Sequence, residues 1–199
     1  MSQKQKLFNG DKVTEGVRLI LEGLDVDLND ENFKDTPKRV AKSFRELCGG
    51  LYIGHEDKEK IFGRTFESPY QGMIVEGPIT ASGLCPHHLL PINMTCVIAY
   101  LPGQKKLGLS KLARAIKMYA AQPLMQESLS HQIVEDFDDY VHPGGVALYI
   151  SGKHNCMSAR GVNLPDCTTT TMDVRGFFET DVSIKTEFQR ILELTLRNA

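Results

Sequence analysis

INMTCVIAYL at residues 92–101 decides the fold, because Ile92, Met94, Cys96, Ile98 and Tyr100 fall on one side at a spacing of two, the period of a pleated strand. MIVEGPIT at 73–80 precedes it as a second short, strand-like run, and Cys85-Pro86-His87-His88 lies in the connection between them. Further on, GVALYIS at 145–151 and TTTTMDV at 168–174 form a second pair rich in β-branched residues. His154-Asn155-Cys156 opens the segment joining that pair. Each group of thiols and imidazoles therefore sits at a strand connection.

Helical spacing surrounds the strands. Val13, Val17, Ile20, Leu21 and Leu24 make one stripe. Asp35-Thr36-Pro37 reads as a cap with proline in the first turn, followed by Val40, Phe44 and Leu47 on one face and a stop at Gly49-Gly50. Residues 1–50 are thus a helical lead-in and 51–199 one structural unit. Ser110 is expected to cap a helix carrying Leu112, Ile116 and Tyr119, and Pro123 to open one carrying Leu129, Ile133, Val134 and Phe137. Ser183 is expected to cap a last helix with Ile184, Phe188, Ile191, Leu192 and Leu196 on its stripe. This order predicts an α+β fold, an antiparallel four-stranded sheet with helices on one face. Its edges and other face lack cover within one chain, which predicts closure into a ring-shaped homo-oligomer.

The 199 residues, 41% hydrophobic and 24% charged, suit one globular domain. A formal charge of −2 without a basic face argues against a nucleic-acid partner. No apolar run approaches the roughly 20 residues that cross a bilayer, and the first residues lack a secretory stretch, so neither membrane insertion nor export is expected. The five cysteines are an odd number without a framework spacing, which favours thiols and metal ligands in a cytoplasmic setting. Cys48, Cys96 and Cys167 read as small buried hydrophobes.

Cys85, His88 and Cys156 offer three ligands to one zinc ion and leave one position open, a catalytic rather than a structural pattern. Zinc lowers the pKa of a bound water towards about 7, so hydrolysis is the default reaction class. His87 and His154 are then imidazoles placed to move protons on a substrate, or hydrogen-bond partners of the ligands. Lys111, Arg114, Arg160 and Arg39 suit an anion, although each also reads as a solvated charge. Glu127 beside Gln126 suits a donor-rich heterocycle edge such as guanine N1 and N2, with the same surface reading open.

DTPKRVAK from Asp35, Cys85-x-His-His, GLSKLxR from Gly108 to Arg114, Gln126-Glu127, HxCMxxRG from His154 and the threonine run at 168–171 together resemble the GTP cyclohydrolase I family. The likeness runs in order over roughly 13–196. It implies the tunnelling fold, with sheets joined into a barrel and two rings stacked, commonly as a decamer with sites between subunits. It also implies a reaction, in which activated water adds to C8 of GTP, the imidazole ring opens and formate leaves. Amadori rearrangement and ring closure then give 7,8-dihydroneopterin triphosphate, the first step towards pterins, tetrahydrofolate or deazaguanines.

Carried over by motif, Cys85, His88 and Cys156 are the zinc ligands, His87 protonates the purine and His154 moves protons at the ribose. Ser110 acts near the sugar, Gln126 and Glu127 bind guanine, and Lys111, Arg114 and Arg160 hold the triphosphate with Arg39 from a neighbouring subunit. Pro86 departs from the pattern, standing where many members carry Glu. Two other readings share these features: a related enzyme of the same fold acting on another purine nucleotide, and a zinc-stabilised nucleotide-binding ring without turnover.

Overall fold

The computed structural model describes residues 7–197, so the first six residues of the predicted lead-in and the last two of the predicted catalytic unit lie outside the described chain. Helices α1 (Gly10–Gly23) and α2 (Thr36–Leu47) pack on each other, a 3-10 turn spans Gly49–Tyr52, and α3 (His55–Phe62) leads to the short strand β1 (Thr65–Glu67). Strands β2 (Ile74–Leu84), β3 (Pro91–Leu101) and β4 (Lys105–Leu107) are followed by helices α4 (Leu109–Ala120) and α5 (Gln126–Val141). Strand β5 (Gly145–His154), the one-turn α6 (Asn155–Ser158), strand β6 (Thr169–Gly176), the one-turn α7 (Phe177–Thr180) and α8 (Val182–Arg197) follow.

The four long strands form an antiparallel sheet in the order β2-β3-β5-β6. Strands β1 and β4 pair apart from it, and at three residues each they are too short for an alternation to announce them. Register sorts the main sheet into two ends. At one end Leu84 faces Pro91, Ile92 faces His154 and Gly152 faces Thr169. At the far end Ile74 faces Tyr100, and Gly145 lies between Leu101 and Gly176. Among the described residues the outer edges of β2 and β6 have no strand partner, which leaves two rows of main-chain groups available for pairing.

Ile92, Met94, Cys96, Ile98 and Tyr100 pack beneath α4 and α5 against Leu112, Ile116, Leu129, Ile133 and Phe137. The expectation that helices cover only one face is corrected by α8, whose Phe188 and Leu192 bury Val97, Ala99, Ala147 and Phe178 on the opposite face. From Cys96 to Leu101 the strand is apolar at every position, the composition of a segment buried on both faces. Nearer the first end, the uncovered face carries Ser82, Asn93, Thr95, Ser151 and Lys153.

Four helix starts differ in detail from the sequence reading. Asp35 does precede α2, but its side chain makes no cap bond. The first turn of α4 is stopped by Gly108, whose carbonyl accepts from Lys111 N at 2.8 Å, while Ser110 lies inside the helix. Pro123 does not open α5: residues 122–124 run beside Leu84, with Leu84 N to Gln122 O at 3.3 Å and Leu124 N to Leu84 O at 3.2 Å. Helix α8 is capped by Asp181, whose Oδ1 accepts from Ser183 N at 2.8 Å and Ile184 N at 3.3 Å, so Ser183 is within the helix.

The direction of α4 matters for the site. Leu107 N donates to Tyr100 Oη at 3.0 Å, which sets the start of α4 at the far end of the sheet. Its last residue, Ala120, places its carbonyl where a side chain on Gly83 would come within 2.5 Å, so the helix ends against β2 at the first end, over a glycine that leaves it room.

Candidate metal centre and its surroundings

The turn joining β2 to β3 is held by Cys85 N to Leu90 O at 2.8 Å and Leu89 N to Cys85 O at 2.9 Å, with Leu89 at a φ of 55°. Pro86 takes the second place of this turn, where its fixed φ is suited and its missing N–H is not needed. Cys85 is buried, whereas His87 and His88 are exposed. Cys85 Sγ stands 3.7 Å from His88 Nδ1 and 3.8 Å from His87 Nδ1. Antiparallel pairing of β3 with β5 brings His154 opposite Ile92, and the single turn of α6 then delivers Cys156.

The donor atoms of Cys85, His88 and Cys156 lie within 4.8 Å of one another. A tetrahedral zinc with its usual bond lengths separates sulfur and nitrogen ligands by about 3.6 Å, so the pair in the turn already has the spacing the ion requires. Two soft thiols and one imidazole fit zinc by chemistry as well as by spacing. Burial raises the pKa of the Cys156 thiol, the neighbouring Cys85 adds to the rise, and the Arg160 charge opposes it. Arg160 Nη1 also lies 3.0 Å from His88 Nε2.

His154 is half-buried, and desolvation lowers its pKa against the opposing charge of Glu127. Its Nε2 is 3.0 Å from Gln126 Oε1. Gln126, expected beside a guanine, is buried at the first turn of α5, and its Nε2 reaches Ile150 O at 3.1 Å, Thr169 O at 2.9 Å and Thr171 Oγ1 at 3.1 Å. Its side chain is committed inside the chain. Glu127, the next residue, is exposed.

One end of the sheet thus collects Cys85, His87, His88, Gln126, Glu127, His154, Cys156 and Arg160. Ser110, Lys111 and Arg114 are elsewhere, because α4 begins at the far end. At a rise of roughly 1.5 Å per residue, Ser110 and Lys111 stand about 14 Å or more before Ala120, and Arg114 about 9 Å. Lys111 Nζ donates to Lys60 O at 2.8 Å. Arg39 is exposed on α2 and lies 3.6 Å from Asp35. The sequence reading did not single out Gly152, Ser130 or Thr171 as partners of this site. A glycine within a strand run was the available signal, since it marks close approach by another group.

Cys48 and Cys96 are buried, as expected, and burial pushes the Cys96 thiol up to about 12. Cys167 is exposed instead, because residues 161–168 form an exposed segment with nothing packed over it.

Comparison with known proteins places these residues in context. A family model described as GTP cyclohydrolase I matches residues 13–193. A GTP cyclohydrolase 1 of Clostridium perfringens is 37% identical over 188 residues, which are 94% of this chain and 100% of the relative. One from a Geobacillus species is 37% identical over 186 residues, 93% of this chain and 97% of the relative. One from a Hydrogenobaculum species is 38% identical over 189 residues, 94% of this chain and 99% of the relative.

Proposed function

Because the chain belongs to the GTP cyclohydrolase I family, we propose that it converts GTP and water to formate and 7,8-dihydroneopterin triphosphate at the first end of its sheet. The observation that carries this reading is the approach of Cys85, His88 and Cys156 to within 4.8 Å of one another, flanked by two imidazoles that need not ligate. A zinc ion held by these three residues would supply the Lewis acidity that makes water a nucleophile at neutral pH.

The chain's own groups divide the remaining work. His87, exposed beside Cys85, delivers a proton to the purine as water adds at C8. His154 accepts and returns protons at the opened ribose during rearrangement. Glu127 accepts from the N1 and N2 donors of guanine, and Arg160 places its charge for the triphosphate. Gln126 meets the base through its main chain at the start of α5, since its side chain is engaged.

Ser110, Lys111, Arg114 and Arg39 join the site from other copies of the chain. The separation of α4's first turn from the metal cluster supports this, as do the unpartnered edges of β2 and β6. The resulting homo-oligomer is a ring of joined sheets, stacked in pairs as a decamer. Five free thiols suit a cytoplasmic enzyme, and no described helix is long and apolar enough to cross a membrane. The product enters pterin, tetrahydrofolate or deazaguanine synthesis.

Formate release from GTP, followed together with the fluorescence of the oxidised pterin, tests the reading. Stoichiometric formate that a chelator abolishes and zinc restores is the expected result. A zinc-loaded, assembled protein that releases none would overturn it.

A further inference from the structure

The hydrogen-bond directions around Gln126 can be worked out without seeing a proton. Ile150 O and Thr169 O are main-chain carbonyls at 3.1 Å and 2.9 Å from one end of the amide. Carbonyl oxygens only accept, so that end is the NH2 group and the assignment of its two atoms is fixed. The amide oxygen is then the atom 3.0 Å from His154 Nε2. It too only accepts, so His154 Nε2 carries a hydrogen. In a neutral imidazole the lone pair then resides on Nδ1.

We propose that Gln126 is a positioning residue that holds His154 as the Nε2–H tautomer, so that protons arrive and leave at Nδ1. The bond from Nε2 to Gln126 Oε1 is the same in the neutral and the charged ring. The imidazole therefore cycles through both states without losing its anchor. No side-chain atom of Gln126 needs to touch the substrate.

Three neighbours show that the arrangement is built. Gly152 leaves room for it, because a Cβ there would lie 2.1 Å from Gln126 Oε1 and 3.3 Å from His154 Nε2. Thr171 Oγ1 accepts from Gln126 Nε2 at 3.1 Å, and Ser130 Oγ donates to Gln126 O at 3.1 Å. The remaining Thr171 to Ser130 contact, at 2.8 Å, then has Thr171 as donor. The two amide hydrogens of Gln126 are shared among Ile150 O, Thr169 O and Thr171 Oγ1, and Gln126 is 2% exposed.

The catalytic half of this inference rests on the reading of His154 as a proton carrier, whereas the tautomer does not. The test is nitrogen NMR of the zinc-loaded protein with labelled histidine, His154 being assigned among the six histidines by loss of its signal in His154→Asn. Wild-type protein is expected to show His154 with hydrogen on Nε2, and Gln126→Met a mixture of tautomers. Kinetically, Gln126→Met is expected to lower kcat by about a hundredfold or more while KM for GTP stays within about twofold. Gly152→Ala, which displaces Gln126 Oε1 from outside, is expected to reproduce both effects.

A wild-type His154 with hydrogen on Nδ1 would overturn the proposal even if the variants fail to assemble. So would Gln126→Met with a raised KM and unchanged kcat, the signature of a base-contacting side chain. Absence of formate from the wild type would instead overturn the cyclohydrolase reading, with the tautomer still decided by NMR.

Discussion

Pro86 shows how one residue can change identity without disturbing its neighbours. The turn bonds come from Cys85 N and Leu89 N, so a residue without an N–H loses nothing in the second place and gains a preset φ. Pro86→Ala is expected to keep zinc content unchanged and to lower stability by about 0.5–1 kcal/mol through a freer unfolded chain. Calorimetry reads that as about 1–4 °C in Tm. The donor residues themselves were legible in the sequence because their chemistry is local: a thiol and an imidazole three apart in a turn, with a matching thiol after another strand. The role of Gln126 was not legible. Its side chain passes over a glycine 26 positions away in sequence, and only the paired strands make that crossing visible.

At the level of elements, apolar periodicity located the long strands and helices, whereas helix starts depended on which nearby oxygen won the first amides. The last helix is the clearest case, since Asp181 Oδ1 takes two of them and Ser183 none. Asp181→Ala is expected to cost about 1 kcal/mol, or about 2–4 °C in Tm for a chain of this length. Ser183→Ala should stay within about 0.5 kcal/mol, as surface changes usually do. Equal losses from the two variants would restore Ser183 as the cap. The start of α5 escaped sequence reading for a different reason: Pro123 is tied to Leu84 by a strand-like contact, and a residue so distant in sequence leaves no local trace.

At the scale of the whole molecule, α4 runs from the far end of the sheet to the metal end, so one chain does not unite its own Lys111 with its own Cys85. Lys111→Ala and Cys85→Ala proteins, each inactive alone, should regain part of the wild-type turnover when dissociated and reassembled together. A mixture that remains inactive while forming mixed rings would place the complete site within one chain. The unpartnered edges of the sheet were expected from the strand order and are found among the described residues, but the covering of its second face by α8 did not show until the fully apolar half of β3 was seen between two layers. The pairing of Ile92 with His154 has a consequence for biogenesis. The two halves of the donor set flank β3 and meet only when β2, β3 and β5 have all zipped together. A nascent chain emerging from the ribosome therefore carries two separated half-sites until β5 and the turn of α6 after it are in place. A metal held by all three residues would be captured late, as a latch on a finished sheet instead of a seed for it.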